Sequence, residues 1–368
     1  MPSRKNIVVN AVAAIHSGAL SVLNNFIENA LKSEFNFLIY TGIPINVPDN
    51  SNVRIIVRSK KTGLNRIYWD CYKLNRELKL NKYVPDLLLS LQNTDFRVTR
   101  SIPHVVFFHN PFMLYDKNWN FFNKHERTFW FYKVIYRLIV KMSLNNNSII
   151  IVQSQWAKKA LKNRGFIEHT IKVFKDVRIT PTNRIFQKNN GQTIKLFYPA
   201  TPLVYKNHKF LFKLFNYIKE TDKSLFSRIN LSLTITEQDL KILGLTESYQ
   251  NVKSSVSLTG YIDSKKVKQL YEESDFLIFP SLIETLGLPL IEASEYGMNI
   301  LAVNLEYAKE VLENYKNVAF LECENLQKWV DRIKNFVPEN KDLYRIDNQC
   351  DFSSWPSVFG YFKEIITK

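Results

Sequence analysis

Three cysteines in 368 residues, Cys71, Cys323 and Cys350, are too few and too scattered for a disulfide framework or a zinc site. Their number suits a reducing, cytoplasmic setting. Glycine is scarce too, at ten residues, so each one inside an apolar run calls for a reason. No run of about 18 apolar residues occurs, which predicts no membrane-spanning helix. The opening "MPSRKNIVVNAVAAIHSGAL" holds an apolar run too short and interrupted for a secretory signal. No tandem repeat or low-complexity tract stands out.

What is present is globular: 45% hydrophobic and 23% charged residues. The length exceeds one ordinary core and fits two domains. The net charge of +16 is lopsided. Residues 1–180 hold 27 Lys and Arg against 11 Asp and Glu, whereas 181–368 hold 23 of each. A basic half-molecule suits nucleic acid, an acidic ligand or an anionic membrane.

The chain opens strand, glycine turn, helix: "NIVVNAV", "AIHSGAL", "LSVLNNFIENALK". Further apolar runs follow in "FNFLIYTG", "VRIIVRS", "PDLLLSLQ", "PHVVFFH" and "SIIIVQS". Most are continuous instead of alternating, as parallel strands covered on both faces require. A polar stretch from Asp176 to Thr193 breaks the rhythm. It restarts with "IKLFYPA", a helix from about Asn207 to Lys219, "INLSLTIT", "VSLTGY", "DFLIFPS" and "NILAVN". The expected fold is α/β, two Rossmann-like doubly wound domains facing across a cleft. The expected bounds are 1–180, 181–350 and a terminal helix, 351–368, crossing back to the first domain. Ligands of such sheets bind outside the carboxyl ends of the strands.

The most informative stretch is "FPSLIETLGLPLIEA", Phe279 to Ala293. It reads as a strand end, a loop holding Glu284, and a helix with Pro289 in its first turn and a stop at Gly297. Glu292 falls in that helix. Backbone N–H groups around Leu286, Gly287 and Leu288 then point out of a helix start, where phosphate binds and glycine permits close approach. Two carboxylates beside a phosphate platform suit the hydroxyls of a sugar nucleotide.

These residues resemble the signature of glycosyltransferase family 4, retaining enzymes of the GT-B fold, of the bacterial surface-polysaccharide type. The two glutamates, with seven residues between them, stand at Glu284 and Glu292, around "TLGLP". The resemblance implies that Glu284 contacts the donor sugar and Glu292 the nucleotide ribose. "FYPATPLVYKNHKFL" is similar to the loop in which a lysine grips the diphosphate, which gives that role to Lys206. Many members carry an arginine where this chain has Thr201, a departure that leaves one phosphate contact fewer. Gly18 is the counterpart of the glycine that approaches the donor phosphates. His109, ending "IPHVVFFH", matches a histidine that touches the transferred sugar; its plainer reading is a strand-end cap. The resemblance covers nearly the whole chain, most specifically 194–312.

The resemblance implies a nucleoside diphosphate sugar donor, of UDP or GDP type, and a sugar hydroxyl as acceptor. No cofactor and no metal are expected. The basic first domain suits a lipid-linked glycan acceptor on an anionic membrane surface, as in O-antigen or capsule synthesis, with the protein peripheral on the inner face of the cell membrane. The segment Asn123–Lys141 interleaves aromatic and basic residues, a pattern equally suited to a membrane interface and to a core helix with a solvated basic edge. The rival readings are a sugar-nucleotide epimerase of the same architecture, which lacks this two-glutamate signature, and a nucleic-acid-binding protein. The latter has no reading motif to support it, so no nucleic-acid partner is expected.

Overall fold

The computed structural model describes residues 4–15, 17–59, 63–96, 101–115, 118–124, 126–144, 147–175, 193–335 and 353–367. His16, His125, Cys350 and nearly all of the polar stretch 176–193 lie outside these residues.

The chain divides into two compact units, Met1–Val177 with Asn348–Lys368, and Arg178–Asp347. Among the described residues the first unit holds β1 (Asn6–Ala11), β2 (Asn36–Thr41), β3 (Val53–Val57), β4 (Leu87–Ser90), β5 (His104–Phe107), β6 (Ile149–Val152) and β7 (Ile171–Val173). They form one sheet in the order β3-β2-β1-β4-β5-β6-β7, every pairing parallel. Val8 of β1 sits level with Leu38 of β2 and Leu88 of β4. These strands are apolar on both faces because helices cover both, which explains the continuous hydrophobic runs.

The second unit repeats the plan with β8 (Ile194–Tyr198), β9 (Ile229–Leu233), β10 (Val256–Leu258), β11 (Phe276–Phe279), β12 (Asn299–Val303) and β13 (Val318–Leu321). The order is β10-β9-β8-β11-β12-β13, again all parallel. Each unit is thus a Rossmann-like, doubly wound α/β sheet.

Local chemistry sets the helix ends. Helix Ser17–Ala30 buries Leu23, Phe26, Ile27 and Ala30, the three-and-four spacing of one helical stripe. The Asn52 amide donates to the carbonyls of Ala30, Ser33 and Phe35, so a remote side chain caps the chain leaving that helix. Helix Trp355–Thr367 belongs to the first unit. Its Trp355 and Phe359 pack edge-on to Phe26, with centroids 4.9 and 5.9 Å away.

Strand order locates the functional ends. In each sheet the order reverses once, between β1 and β4 in the first unit and between β8 and β11 in the second. At such a reversal the loops leaving adjacent strands run apart and open a crevice at the carboxyl ends. The loops to inspect therefore follow β1, β4, β8 and β11.

Candidate active site

In the second unit, the loops after β8 and β11 are tied together. Lys206 ends a short 3-10 turn, Val204–Lys206, followed by Asn207 in the left-handed region at φ 60°. Asn207 tolerates that backbone better than a branched residue would. The Leu282 N–H donates to the Tyr205 carbonyl (2.8 Å), and the Asn207 amide to that of Pro280 (3.3 Å). The buried Tyr198 hydroxyl donates to the Lys206 carbonyl at 2.7 Å. This stitching brings Lys206 Nζ to 2.5 Å from Glu284 Oε1, and the two side chains are only 15% and 13% exposed. Ser281 Oγ donates to the same carboxylate oxygen at 2.7 Å. An ion pair so shielded keeps far more of its Coulomb energy than a surface pair. An ammonium carries three donors, so Lys206 can reach a second anion as well.

Gly287 stands at φ 72° and begins helix Leu288–Glu295, with a proline in the first turn. A Cβ there would meet the Leu290 side chain at 3.2 Å and the Tyr307 ring at 3.5 Å, so both backbone and space call for glycine. Leu286 is buried and Leu288 exposed, so their backbone flanks the turn from opposite environments. Glu292 sits one turn further on. Its Oε2 accepts a 2.7 Å hydrogen bond from Tyr271, a buried ring stacked on Tyr296. Burial pushes the Glu292 carboxyl above its ordinary value, against the Tyr271 hydrogen bond and the charge of Lys268. Sequence reasoning missed Tyr271 because 21 residues and a strand separate it from its partner.

In the first unit, a cavity of about 270 Å³ lies at the β1–β4 reversal. Ala13 and Ala14 after β1, Gln92 and Asn93 after β4, and His109 after β5 are in its wall. The His109 N–H donates to Asn93 Oδ1 at 2.6 Å, and Asn93 holds the left-handed region at φ 69°. Desolvation first, then the Arg66 charge, lowers the His109 pKa to about 4. Its imidazole is therefore neutral at ordinary pH and can exchange hydrogen bonds with a hydroxyl. Gly18 is exposed in the first turn of helix Ser17–Ala30, and nothing lies within 4 Å of where its Cβ would be. Among the other histidines, His104 pairs with buried Asp95 at 2.8 Å, a structural contact.

The aromatic and basic segment forms helix Arg127–Ser143, two residues beyond its expected end. Of the aromatics expected to decide its role, Phe129 and Tyr136 are buried, and Trp130 packs on Phe121 at a centroid distance of 4.9 Å. The apolar residues left in solvent are others on the same helix: Phe131, Ile135, Leu138 and Met142. Among the described residues no helix is long and apolar enough to cross a membrane.

Comparison with known proteins gives the class of the fold, and the class of one segment. Residues 180–349 match the family described as glycosyl transferases group 1. The mannosyltransferase WbdA of Escherichia coli, named serotype-specific, is 37% identical over 76 residues, 21% of this chain and 9% of that protein's length. The chain thus spans a small part of this relative. The crystal structure of Anabaena HepE with UDP and glucose superposes with a TM-score of 0.61 at 14% identity, covering 89% of this chain and 88% of that one. WaaG, a glycosyltransferase involved in lipopolysaccharide biosynthesis, gives 0.61 at 14% identity over 89% and 90%. At such identity the two structures establish the fold, which is GT-B.

Proposed function

We propose that this protein is a retaining glycosyltransferase of family 4 type, which moves a sugar from a nucleoside diphosphate sugar to a hydroxyl of a lipid-linked glycan in surface-polysaccharide synthesis. The observation that carries the reading is the shielded Lys206–Glu284 pair beside the left-handed Gly287, within the segment matching glycosyl transferases group 1. A cation, free helix-start N–H groups and two half-buried carboxylates together suit a sugar diphosphate. The nucleotide-bound relative HepE supports a UDP-type donor; a GDP type remains part of the reading. The names of WbdA and WaaG support a polysaccharide or lipopolysaccharide setting.

In this reading Glu292 accepts from the ribose hydroxyls, Glu284 touches the donor sugar, and Lys206 holds the diphosphate. Gly18 and the N–H groups of Leu286, Gly287 and Leu288 approach its phosphates. The bond from the anomeric carbon to the leaving phosphate oxygen breaks while the acceptor oxygen bonds to the same face. The acceptor proton passes to the leaving phosphate, and no metal is needed. Lys206 stabilises the charge growing on that phosphate. His109, neutral, hydrogen-bonds the transferred sugar.

The membrane reading rests on the exposed row Phe131, Ile135, Leu138 and Met142, with Lys141 exposed alongside. The basic excess of residues 1–180 adds attraction to anionic lipid. A panel of UDP and GDP sugars, scored for donor hydrolysis and for calorimetric binding, tests the whole. Binding of one nucleoside diphosphate sugar with turnover is expected. A folded protein that binds none of them refutes the reading.

A further inference from the structure

The helical segment 63–80 does not run evenly. An α-helix Gly63–Tyr68 passes into a π-turn, Trp69–Lys73, and then into an α-helix Leu74–Leu80. The Leu74 N–H donates to the Trp69 carbonyl, five residues back, which widens the coil by one residue. Asp70 lies in the widened turn and is buried.

Its carboxylate is the hub of a polar cluster. Oδ1 accepts from Asn10 and from Gln92, both at 2.8 Å. Oδ2 accepts from Thr94 at 3.0 Å and stands 3.8 Å from Arg66 Nε. Arg66 in turn donates to the Gln92 carbonyl, to Thr94 Oγ1 and to the Tyr136 hydroxyl. Gln92 Oε1 accepts from the Ala13 N–H at 3.2 Å. One carboxylate thus fastens the loop after β1 and the loop after β4, the two loops at the strand-order reversal. Between Gln92 and Thr94 sits Asn93, the residue that holds the His109 backbone.

We infer that Asp70 is the positioning residue of the first-unit cavity: through Gln92 and Thr94 it fixes the 91–95 loop, and through Asn93 it sets His109 against the cavity. The inference rests on the proposed function only for what enters the cavity. Its cost argues for it. Burying a carboxylate is unfavourable, and a wholly apolar core would be at least as stable. Desolvation raises Asp70 from 3.8 to about 6, against the opposing pull of Arg66, Asn10 and Thr94. The charged or titratable groups facing it are Arg66 on its own helix, Asp95 on the loop after β4, and Tyr136 on helix Arg127–Ser143. A buried carboxylate perturbed by desolvation and a named charge partner, beside a cavity, marks a candidate functional position.

The test reads His109 directly, by proton–carbon NMR of the histidine rings in the full chain, with His109 assigned through His109→Gln. The wild-type ring is expected to titrate near pH 4. Asp70→Ala, which orphans the three donors, should loosen the 91–95 loop and admit water, returning His109 toward an ordinary value of about 6.5. Asp70→Asn keeps an oxygen where Asn10 and Gln92 donate, and should leave His109 near its wild-type titration. An unmoved Trp355 indole resonance, from the cluster with Phe26 and Phe359, shows that the unit is folded. If Asp70→Ala does not fold, Gln92→Met, which severs the link to Ala13, replaces it and should shift His109 the same way. Turnover should fall at least about tenfold in the shifted variant with donor KM nearly constant, as expected of a change felt after binding. A folded Asp70→Ala, or Gln92→Met in its place, with wild-type His109 titration overturns the inference. Absence of nucleotide binding in every form would count against the transferase reading instead, and the titration would still decide this one.

Discussion

Replacing Lys206 by Met separates the two jobs of that residue. In the unliganded protein the lysine neutralises Glu284, both side chains being about six-sevenths shielded from water. Removing one partner of a fully buried pair costs about 3–5 kcal/mol, and an exposed pair is worth about 0–1. The partial exposure, with Ser281 still donating to the carboxylate, places the cost at about 2–3 kcal/mol. For a unit of this size each kcal/mol moves the midpoint by about 2–4 °C, so calorimetry should show a fall of roughly 4–12 °C in the second-unit transition. Lys206→Met with Glu284→Gln removes the stranded charge as well and should recover most of that loss. Ligand binding should not recover. Nucleoside diphosphate affinity should fall about 10- to 100-fold in both variants, while nucleoside affinity changes little, because only the diphosphate meets the ammonium. Equal losses for nucleoside and nucleoside diphosphate, or unchanged stability in the single variant, would refute the reasoning.

Four further outcomes are expected. Tyr271→Phe deletes the hydroxyl that opposes burial at Glu292, so the already raised carboxyl pKa should rise further; nucleotide affinity grows as pH rises through that pKa, and calorimetry across pH should show the rise displaced to higher pH. Glu292→Gln should abolish that dependence and weaken nucleotide binding by about 1–2 kcal/mol. His109→Ala should lower turnover while titration calorimetry with nucleotide gives wild-type affinity, and full activity would return His109 to a structural role. Leu138→Ser with Met142→Ser, at positions 52% and 74% exposed, should reduce co-sedimentation with anionic liposomes and leave nucleotide binding intact; unchanged co-sedimentation removes this face from the membrane reading.

Much of the fold is readable from hydrophobic pattern, and the exceptions have physical causes. Runs such as "FLIF" and "IIIV" have the short, continuous apolar pattern of doubly covered strands. β7 and β13 escape because three or four residues are too few to count a pattern, and three of the four in β13 are only half-buried. The π-turn leaves no periodic trace, since one inserted residue shifts the phase within a single turn. The helix Arg127–Ser143 misleads for a related reason. It carries two apolar rows, Phe129, Tyr136 and Val140 inside and Phe131, Ile135, Leu138 and Met142 outside, and sequence alone does not rank them. Glu284, Lys206 and Gly287 are legible one by one, but the pairing of Lys206 with a residue 78 positions away needs the strand order. Asp70 is not singled out by pattern at all, because its partners Asn10, Gln92 and Thr94 lie on other elements.

The placement of helix Trp355–Thr367 has a consequence for how the chain is made. Trp355, Val358, Phe359 and Phe362 complete a cluster whose other members, from Ile7 to Phe174, are synthesised long before them. On the ribosome the first unit must wait, with Phe26, Phe35 and Phe37 all lacking their contact with Phe359, until the whole second unit has emerged. The second unit is continuous in sequence, from Arg178 to Asp347, and needs nothing made later. The order of folding should therefore invert the order of synthesis, and the first unit's unfinished aromatic face is where a nascent-chain chaperone would be expected to bind.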